Sequence, residues 1–362
     1  MGASPFFLWR KFSFRIMLLL ILVSIILSTL TAAVVGWMSR SQLEETIGAG
    51  LGDVSFQMAD KLDRAMFERS REITILSRSR PLRRKDTSYT EKRELLEEVK
   101  ATLPDHAWIA ITDAKGTVQV ATSGLLEGKN VSHRPWFEPG KVGPYVGDVH
   151  GALLLSKHMP APPDGNLRFV DTAAPLFSLD GNQLLGVLCS HLTWEWARDV
   201  ETSLFRDVKQ RKGIEVFVFG SGGEPLLVPT GTTATSWPNL KDLIGTAPNK
   251  KGHALISWPD GEYLTGYAPA DGYKSYRGLG WVVLARQNTK VAFIPSRALW
   301  TRTLGYGILF GLLAALAGGL LSSRVSKPLL RIAGAAESIR DGDLEVGIPL
   351  IESPEEIASL SL

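Results

Sequence analysis

A single cysteine, Cys189, stands in a chain of 362 residues, which excludes an internal disulfide and a thiolate-only metal site. Charge is missing from two long blocks: Ile16 to Met38 and Thr303 to Ser323 contain no Asp, Glu, Lys or Arg. At about 1.5 Å per residue, each is long enough to cross about 30 Å of hydrocarbon. A soluble cytosolic enzyme is thereby excluded. The net charge is only +3 and is spread along the chain, so no nucleic-acid partner is expected. The six histidines, His106, His133, His150, His158, His191 and His253, show no His-x-x-x-His pair, and Asp148-x-His150 alone is insufficient, so neither a metal nor another cofactor is expected. Gly220-Ser-Gly-Gly223 sits in a polar turn and lacks the strand-to-helix elbow of a catalytic serine. No enzymatic module is expected in this chain.

What is present begins with the two apolar blocks. Arg10, Lys11 and Arg15 precede the first, and the small residues Thr31 to Ala33 lie near its end, which leaves a cleaved secretory signal as one reading. An uncleaved anchor fits better, because the run exceeds the roughly 7 to 15 residues of a signal core and continues into a helical pattern. Trp9, Trp37 and Trp300 lie at the block ends, where aromatic rings favour the headgroup layers. The flanking Lys and Arg residues are more numerous outside 16–38 and 303–323 than between them. The reading is a cytoplasmic N-terminus at 1–15, spans at 16–38 and 303–323, an extracytoplasmic domain at 39–302 and a cytoplasmic segment at 324–362.

The outer segment opens with a long amphipathic helix marked by Leu43, Ile47, Leu51, Val54, Met58, Leu62, Met66, Ile73 and Leu76. Gly48, Gly50 and Gly52 weaken it locally; a phosphate loop is a poor alternative, since no strand precedes them and no Lys-Ser/Thr follows. Pro81 ends it, and Ser88 with Glu91 makes a capping box for a shorter helix to about Thr102. Hairpins follow at Trp108–Thr112 with Thr117–Ala121, Arg168–Phe177 with Leu184–Leu192, and Glu215–Phe219 with Pro225–Val228. A last sheet comprises Ala254–Trp258, Tyr263–Tyr267 and Trp281–Arg286. A helical stretch near Trp194 to Lys212 separates the groups, which gives an α+β domain with two stacked lobes at about 104–192 and 213–290. After the second span, Leu329, Leu330, Ile332, Ala333, Ala336 and Ile339 share a helix face, Gly342 stops it, and Glu355 begins a second helix cut short at Leu362. Two such amphipathic helices bury their faces by forming a parallel bundle in a homodimer.

This order resembles bacterial transmembrane receptors with a double-Cache sensor and a HAMP linker. The linker match rests on Pro328, the Gly342-Asp343-Leu344 connector and Glu356-Ile357. The sensor match rests on the long helix, His133-Arg-Pro-Trp-Phe137, the Gly186-Val strand and Gly280-Trp-Val-Val-Leu-Ala285. The resemblance implies two PAS-like lobes outside the bacterial inner membrane, a small-molecule ligand, and a signal passed through HAMP to a cytoplasmic output module beyond Leu362: a diguanylate cyclase, a histidine kinase or a chemotaxis transducer. The competing class is a membrane-anchored interaction protein without a small-molecule ligand.

Amino-acid-binding members of the family use an Arg and a Trp two positions apart for the ligand carboxylate; Arg134 and Trp136 match that pair. Tyr145 and Asp148 follow with a spacing one residue longer than in those members, and Asp171 completes the expected set. His191 stands where those members place the Asp that holds the ligand amine. A His is neutral or positive near neutral pH and suits an acidic or hydroxylated ligand better than an ammonium group. The expected ligand is therefore a small carboxylate anchored by Arg134, whose planar fork makes two charge-assisted bonds. Arg134 as an ion-pair partner of Asp148 or Asp171, and His191 as a core histidine, are the plain alternatives.

Overall fold

The computed structural model describes residues 5–151, 167–205, 213–229, 232, 237–238, 240 and 251–340. They form two compact units, one built from residues up to Leu43 and from Phe293 onward, the other from Glu44–Ala292.

The first unit holds the apolar part of helix α1 (Pro5–Ser77) and helix α7 (Ile294–Arg340). Both are long and apolar enough to cross a membrane, and they present Leu19, Leu22, Leu27, Leu30, Phe310, Leu316 and Leu321 outward. A helix that exposes such a surface on several sides is matched to lipid and not to a protein core. Small residues line their contact: a Cβ at Gly307 or Gly311 would strike Ser28 or Ser24, the close approach that packs apolar helices where burial from water gives no drive. Helix α7 runs on through Pro328, where the sequence pattern suggests a fresh start, and ends at Arg340. Gly342, Asp343, Leu344 and Glu356 lie outside the described residues.

The second unit is an α+β domain with two antiparallel sheets. Helices α2 (Arg80–Arg83) and α3 (Tyr89–Thr102) follow α1. The expected capping box is in place: Ser88 Oγ accepts from the Glu91 N–H, and the Glu91 carboxylate accepts from the Ser88 N–H. The first sheet takes β1 (His106–Thr112), β2 (Val118–Ala121), β3 (Tyr145–Val146), β4 (His150–Gly151), β5 (Arg168–Phe177) and β6 (Leu184–Thr193). Their order is β2-β1-β6-β5-β3, with β4 also on β5. Alternation gives the sheet two buried faces. Ile109, Ile111, Ala174, Leu176 and Leu188 pack against Ile73, Leu82 and Leu96 of the helices. Trp108, Ala110, Phe169, Ala173, Val187 and Cys189 pack on the opposite side against Trp136 and Phe137. A Cβ at Gly186 would lie 1.7 Å from the Thr112 carbonyl oxygen, so only glycine fits there.

Helix α5 (Glu195–Phe205) leads to the second sheet, made of β7 (Ile214–Phe219), β8 (Pro225–Leu227), β9 (Gly252–Trp258), β10 (Gly261–Ala270) and β11 (Trp281–Asn288), in the order β8-β7-β11-β10-β9. A short helix, α6 (Thr289–Ala292), closes the unit. Leu51, Met58, Leu62 and Met66 of α1 enter one core with Trp194, Trp196, Trp281 and Val283, and with Val170 and Leu192 of the first sheet. Helix α1 therefore serves both lobes. The glycines at 48 and 52 do not break it. A Cβ on Gly266 of β10 would lie 2.2 Å from the Gly52 nitrogen, and one on Gly48 would strike the His253 ring, so these glycines let helix and sheet touch.

Arg286 of β11 fills the opposite face of the second sheet and is 2% exposed. Its Nη1 and Nη2 each donate to Asp260 at 2.9 Å, and its Nε donates to Glu215 at 2.7 Å. The guanidinium carbon lies 4.0 Å, 4.2 Å and 4.9 Å from the ring centres of Tyr263, Trp258 and Phe217.

On α1, Asp63 is buried and accepts from the Gly272 N–H at 2.8 Å, while its Oδ1 has no hydrogen-bond partner. Burial, with the charges of Asp271 and Asp60, pushes its carboxyl from 3.8 up to about 6, against the opposing Gly272 bond. The folded state thus holds this proton more tightly than the unfolded chain does. The resulting penalty is absent below the unfolded value, grows as pH rises between the two values, and is complete above the folded one. Asp63→Asn is expected to stabilise the protein by about 1 kcal/mol at pH 7.5, after allowance for solvent screening. Thermal unfolding should show that gain vanish near about pH 4; a gain independent of pH would remove the explanation.

Candidate functional site

The candidate site lies on the face of the first sheet turned away from α1. Cross-strand register sets its centre: Asp171 pairs with His191, His191 with Trp108, and His150 with Phe169, two residues before Asp171 on β5. Directly opposed residues of antiparallel strands share a face, so Trp108, His191 and Asp171 stand in a row. A tight turn after Val131 then brings Arg134 and Trp136 over them, followed by helix α4 (Phe137–Val142).

These elements enclose a cavity of about 430 Å³ lined by Arg134, Trp136, Tyr145, Asp148, Asp171 and His191, together with Trp108, Gly147 and His150. All six ligand-binding candidates from the sequence thus meet in one place. His133 of the same motif is exposed and outside it. Trp194 and Trp196, at the start of the expected helical stretch, do not line the cavity and are both buried in the core shared with α1, their ring centres 5.3 Å apart. There β6 ends at Thr193 and the chain turns into helix α5.

The cavity's acceptors are engaged. Asp148 Oδ1 accepts from the Trp281 indole at 2.8 Å and from the Val149 N–H at 2.7 Å. Asp171 Oδ1 accepts from His191 Nδ1, and its Oδ2 lies 3.0 Å from His150 Nε2. Burial would raise the Asp171 carboxyl, but the charge of His191 and the contacts of both rings outweigh that and hold it at about 2. The contact with Asp171 raises the His150 value against the effect of its own burial. Burial raises the Tyr145 phenol, with smaller contributions from Asp171 and Asp148.

The cavity's donors on the other wall are not engaged. Among the described residues the Arg134 guanidinium makes no hydrogen bond or ion pair, and neither Asp148 nor Asp171 pairs with it. The Trp136 indole N–H is buried without a partner among the described residues. His191 is held rigidly, stacked on Trp108 with ring centres 5.1 Å apart and bordered by Phe169 at 6.0 Å.

His150 is the site residue the sequence reading passed over. Its signal lies in strand pairing: folding the Arg168–Phe177 strand back on Leu184–Leu192 sets Asp171 opposite His191, and a strand added at the β5 edge brings His150 alongside.

The paired lobes on one long helix have the fold of Cache-type extracellular ligand-binding domains. One similar structure is the sensory domain of the Campylobacter jejuni chemoreceptor Tlp3 (CcmL) with isoleucine bound. It has a TM-score of 0.51 and 10% identity, and the match covers 70% of this chain and 98% of that one. Another is the ligand-binding domain of the Pseudomonas aeruginosa PAO1 amino acid chemoreceptor PctB in complex with L-Arg, with a TM-score of 0.50, 16% identity, and coverage of 69% and 98%. No protein-family model matches the chain, and no curated protein matches it.

Proposed function

We propose that this chain is the input half of a two-span bacterial receptor that senses a small carboxylate in the first-lobe cavity. The observation that carries the reading is the imbalance within the cavity: Arg134 and the Trp136 N–H lack partners among the described residues, whereas both carboxylates have theirs. A site with spare donors and occupied acceptors is completed by an anion. In this reading residues 39–302 lie outside the inner membrane, 16–38 and 303–323 span it, and 324–362 form part of a HAMP linker. Pro328, Gly342, Asp343, Leu344 and Glu356 act as its relay within a homodimer, and a cytoplasmic output module receives the signal. A ligand shifts such a receptor only by its differential affinity for two states, typically about 1 to 3 kcal/mol.

The test is a thermal-shift screen of the purified chain in lipid nanodiscs with organic acids, amino acids and amines. An organic acid present at about 100 times its Kd should stabilise the fold by about 2.7 kcal/mol. Stabilisation by amino acids without organic acids would overturn the carboxylate assignment, and silence throughout would favour an interaction protein.

A further inference from the structure

Three potential metal donors converge beside the cavity from three separate strands. His150 comes from β4, Asp171 from β5 and His191 from β6. Their ligating atoms all lie within 4.8 Å of one another. We propose that His150, Asp171 and His191 bind one divalent transition-metal ion of borderline softness, such as Zn2+, with a coordination position left open toward the cavity.

The tautomer of His150 suits this role. Its Nδ1 lies 3.2 Å from the Gly151 carbonyl oxygen, which can only accept, so Nδ1 carries a proton. In the neutral imidazole that leaves the lone pair on Nε2, which is buried and faces Asp171 Oδ2 at 3.0 Å. A ligating histidine whose other nitrogen donates to a backbone carbonyl is fixed in ring orientation and made more basic. His191 would present Nδ1 to the same point from a ring clamped by Trp108 and Phe169, the proton it donates to Asp171 being released to solvent as the metal binds. Asp171 supplies the charge, and its side chain is 7% exposed.

Two imidazoles and one carboxylate select against hard cations, which take all-oxygen shells, and favour Zn2+ and its neighbours. Zinc bonds of about 2.0 to 2.2 Å require the donors to stand about 3.3 Å apart; both imidazole nitrogens already lie closer than that to an Asp171 oxygen, so small side-chain rotations that open those pairs would make room for the ion. Three protein donors leave the fourth tetrahedral position for water or a ligand oxygen. Since Arg134 lines the same cavity, a carboxylate has two cationic groups within one enclosure. The metal proposal goes beyond the anion reading and does not depend on it.

The experiment is equilibrium dialysis of the untagged full chain in nanodiscs, stripped of metal, against Zn2+ alone. One ion per chain is expected, with Co2+ giving the intense visible bands of a four-coordinate site. His150→Gln and His191→Gln should each weaken Zn2+ binding by at least about 10-fold, and His133→Gln should leave it unchanged. His150 lies half-exposed at the cavity rim, so its variant remains a fair test if the His191 variant does not fold. Binding that survives both substitutions, less than one ion per chain, or equal competition by Ca2+ would overturn the proposal. The organic-acid screen, run without metal, reads the anion site separately.

Discussion

Arg286→Ala is expected to lower stability by about 2 to 4 kcal/mol, chiefly through the packing lost when a large buried side chain is truncated, with a smaller share from its bonds to two half-exposed carboxylates. For a domain of this size that is a fall of roughly 10 °C in Tm. The arginine makes two parallel bonds to Asp260 and a third to Glu215, and three aromatic rings surround it. Its loss leaves Asp260 and Glu215 to water and opens a cavity among Phe217, Trp258 and Tyr263. Arg286→Lys keeps the charge but loses the planar fork and its stacking, so it should recover only part of the loss. Burial raises the Asp260 carboxyl, but the bonds from Arg286 and Tyr263 outweigh it and leave a net lowering. A carboxyl lowered in the folded state contributes stability above its unfolded value that is lost as pH falls through the folded one. The difference between wild type and Arg286→Ala should therefore narrow in acid. Equal Tm values at neutral pH would show that the cluster is energetically idle.

Arg134→Ala is expected to do the opposite: little to the fold, much to the response. Since the guanidinium has no described partner, its removal strands nothing, and the ligand-free Tm should change by less than about 0.5 kcal/mol equivalent. A carboxylate held by the fork loses two charge-assisted bonds. Affinity should drop roughly 100-fold to 1,000-fold, corresponding to about 3 to 4 kcal/mol. At a ligand concentration that stabilises the wild type by about 2.7 kcal/mol, the variant should show almost no shift. Arg134→Lys should fall between the two, because an ammonium is a point charge without the matching plane. An undiminished shift in Arg134→Ala, measured with the acid that stabilises the wild type most, would exclude this cavity as its site.

Much of the fold was legible because it is written locally. The Ser88 and Glu91 capping box, the turn between Phe177 and Leu184, and the apolar run from Trp281 to Ala285 each need only neighbouring residues to be recognised. The six cavity candidates emerged through motif resemblance, and their shared cavity could be seen only in three dimensions. What escaped was set by tertiary contact. Gly48 and Gly52 read as weak points in a helix because their partners, His253 and Gly266, lie two hundred residues away in sequence. Arg286 looked like the end of a strand, since nothing next to it in the chain reveals three rings and two carboxylates. The grouping of His150 with Asp171 and His191 is invisible to spacing along the chain, because it depends on which strands adjoin.

The Gly52 and Gly266 contact has a mechanical meaning. Where side chains separate a helix from a sheet, each rotatable bond acts as a compliant spring, and a small displacement of one element is absorbed before the other feels it. At this contact, backbone meets backbone with no rotamer between them. A shift of β10 toward the helix has no slack to take up at that point and bears directly on the axis of α1. The contact is stiff in compression and, with no side-chain knob at either glycine, smooth in shear.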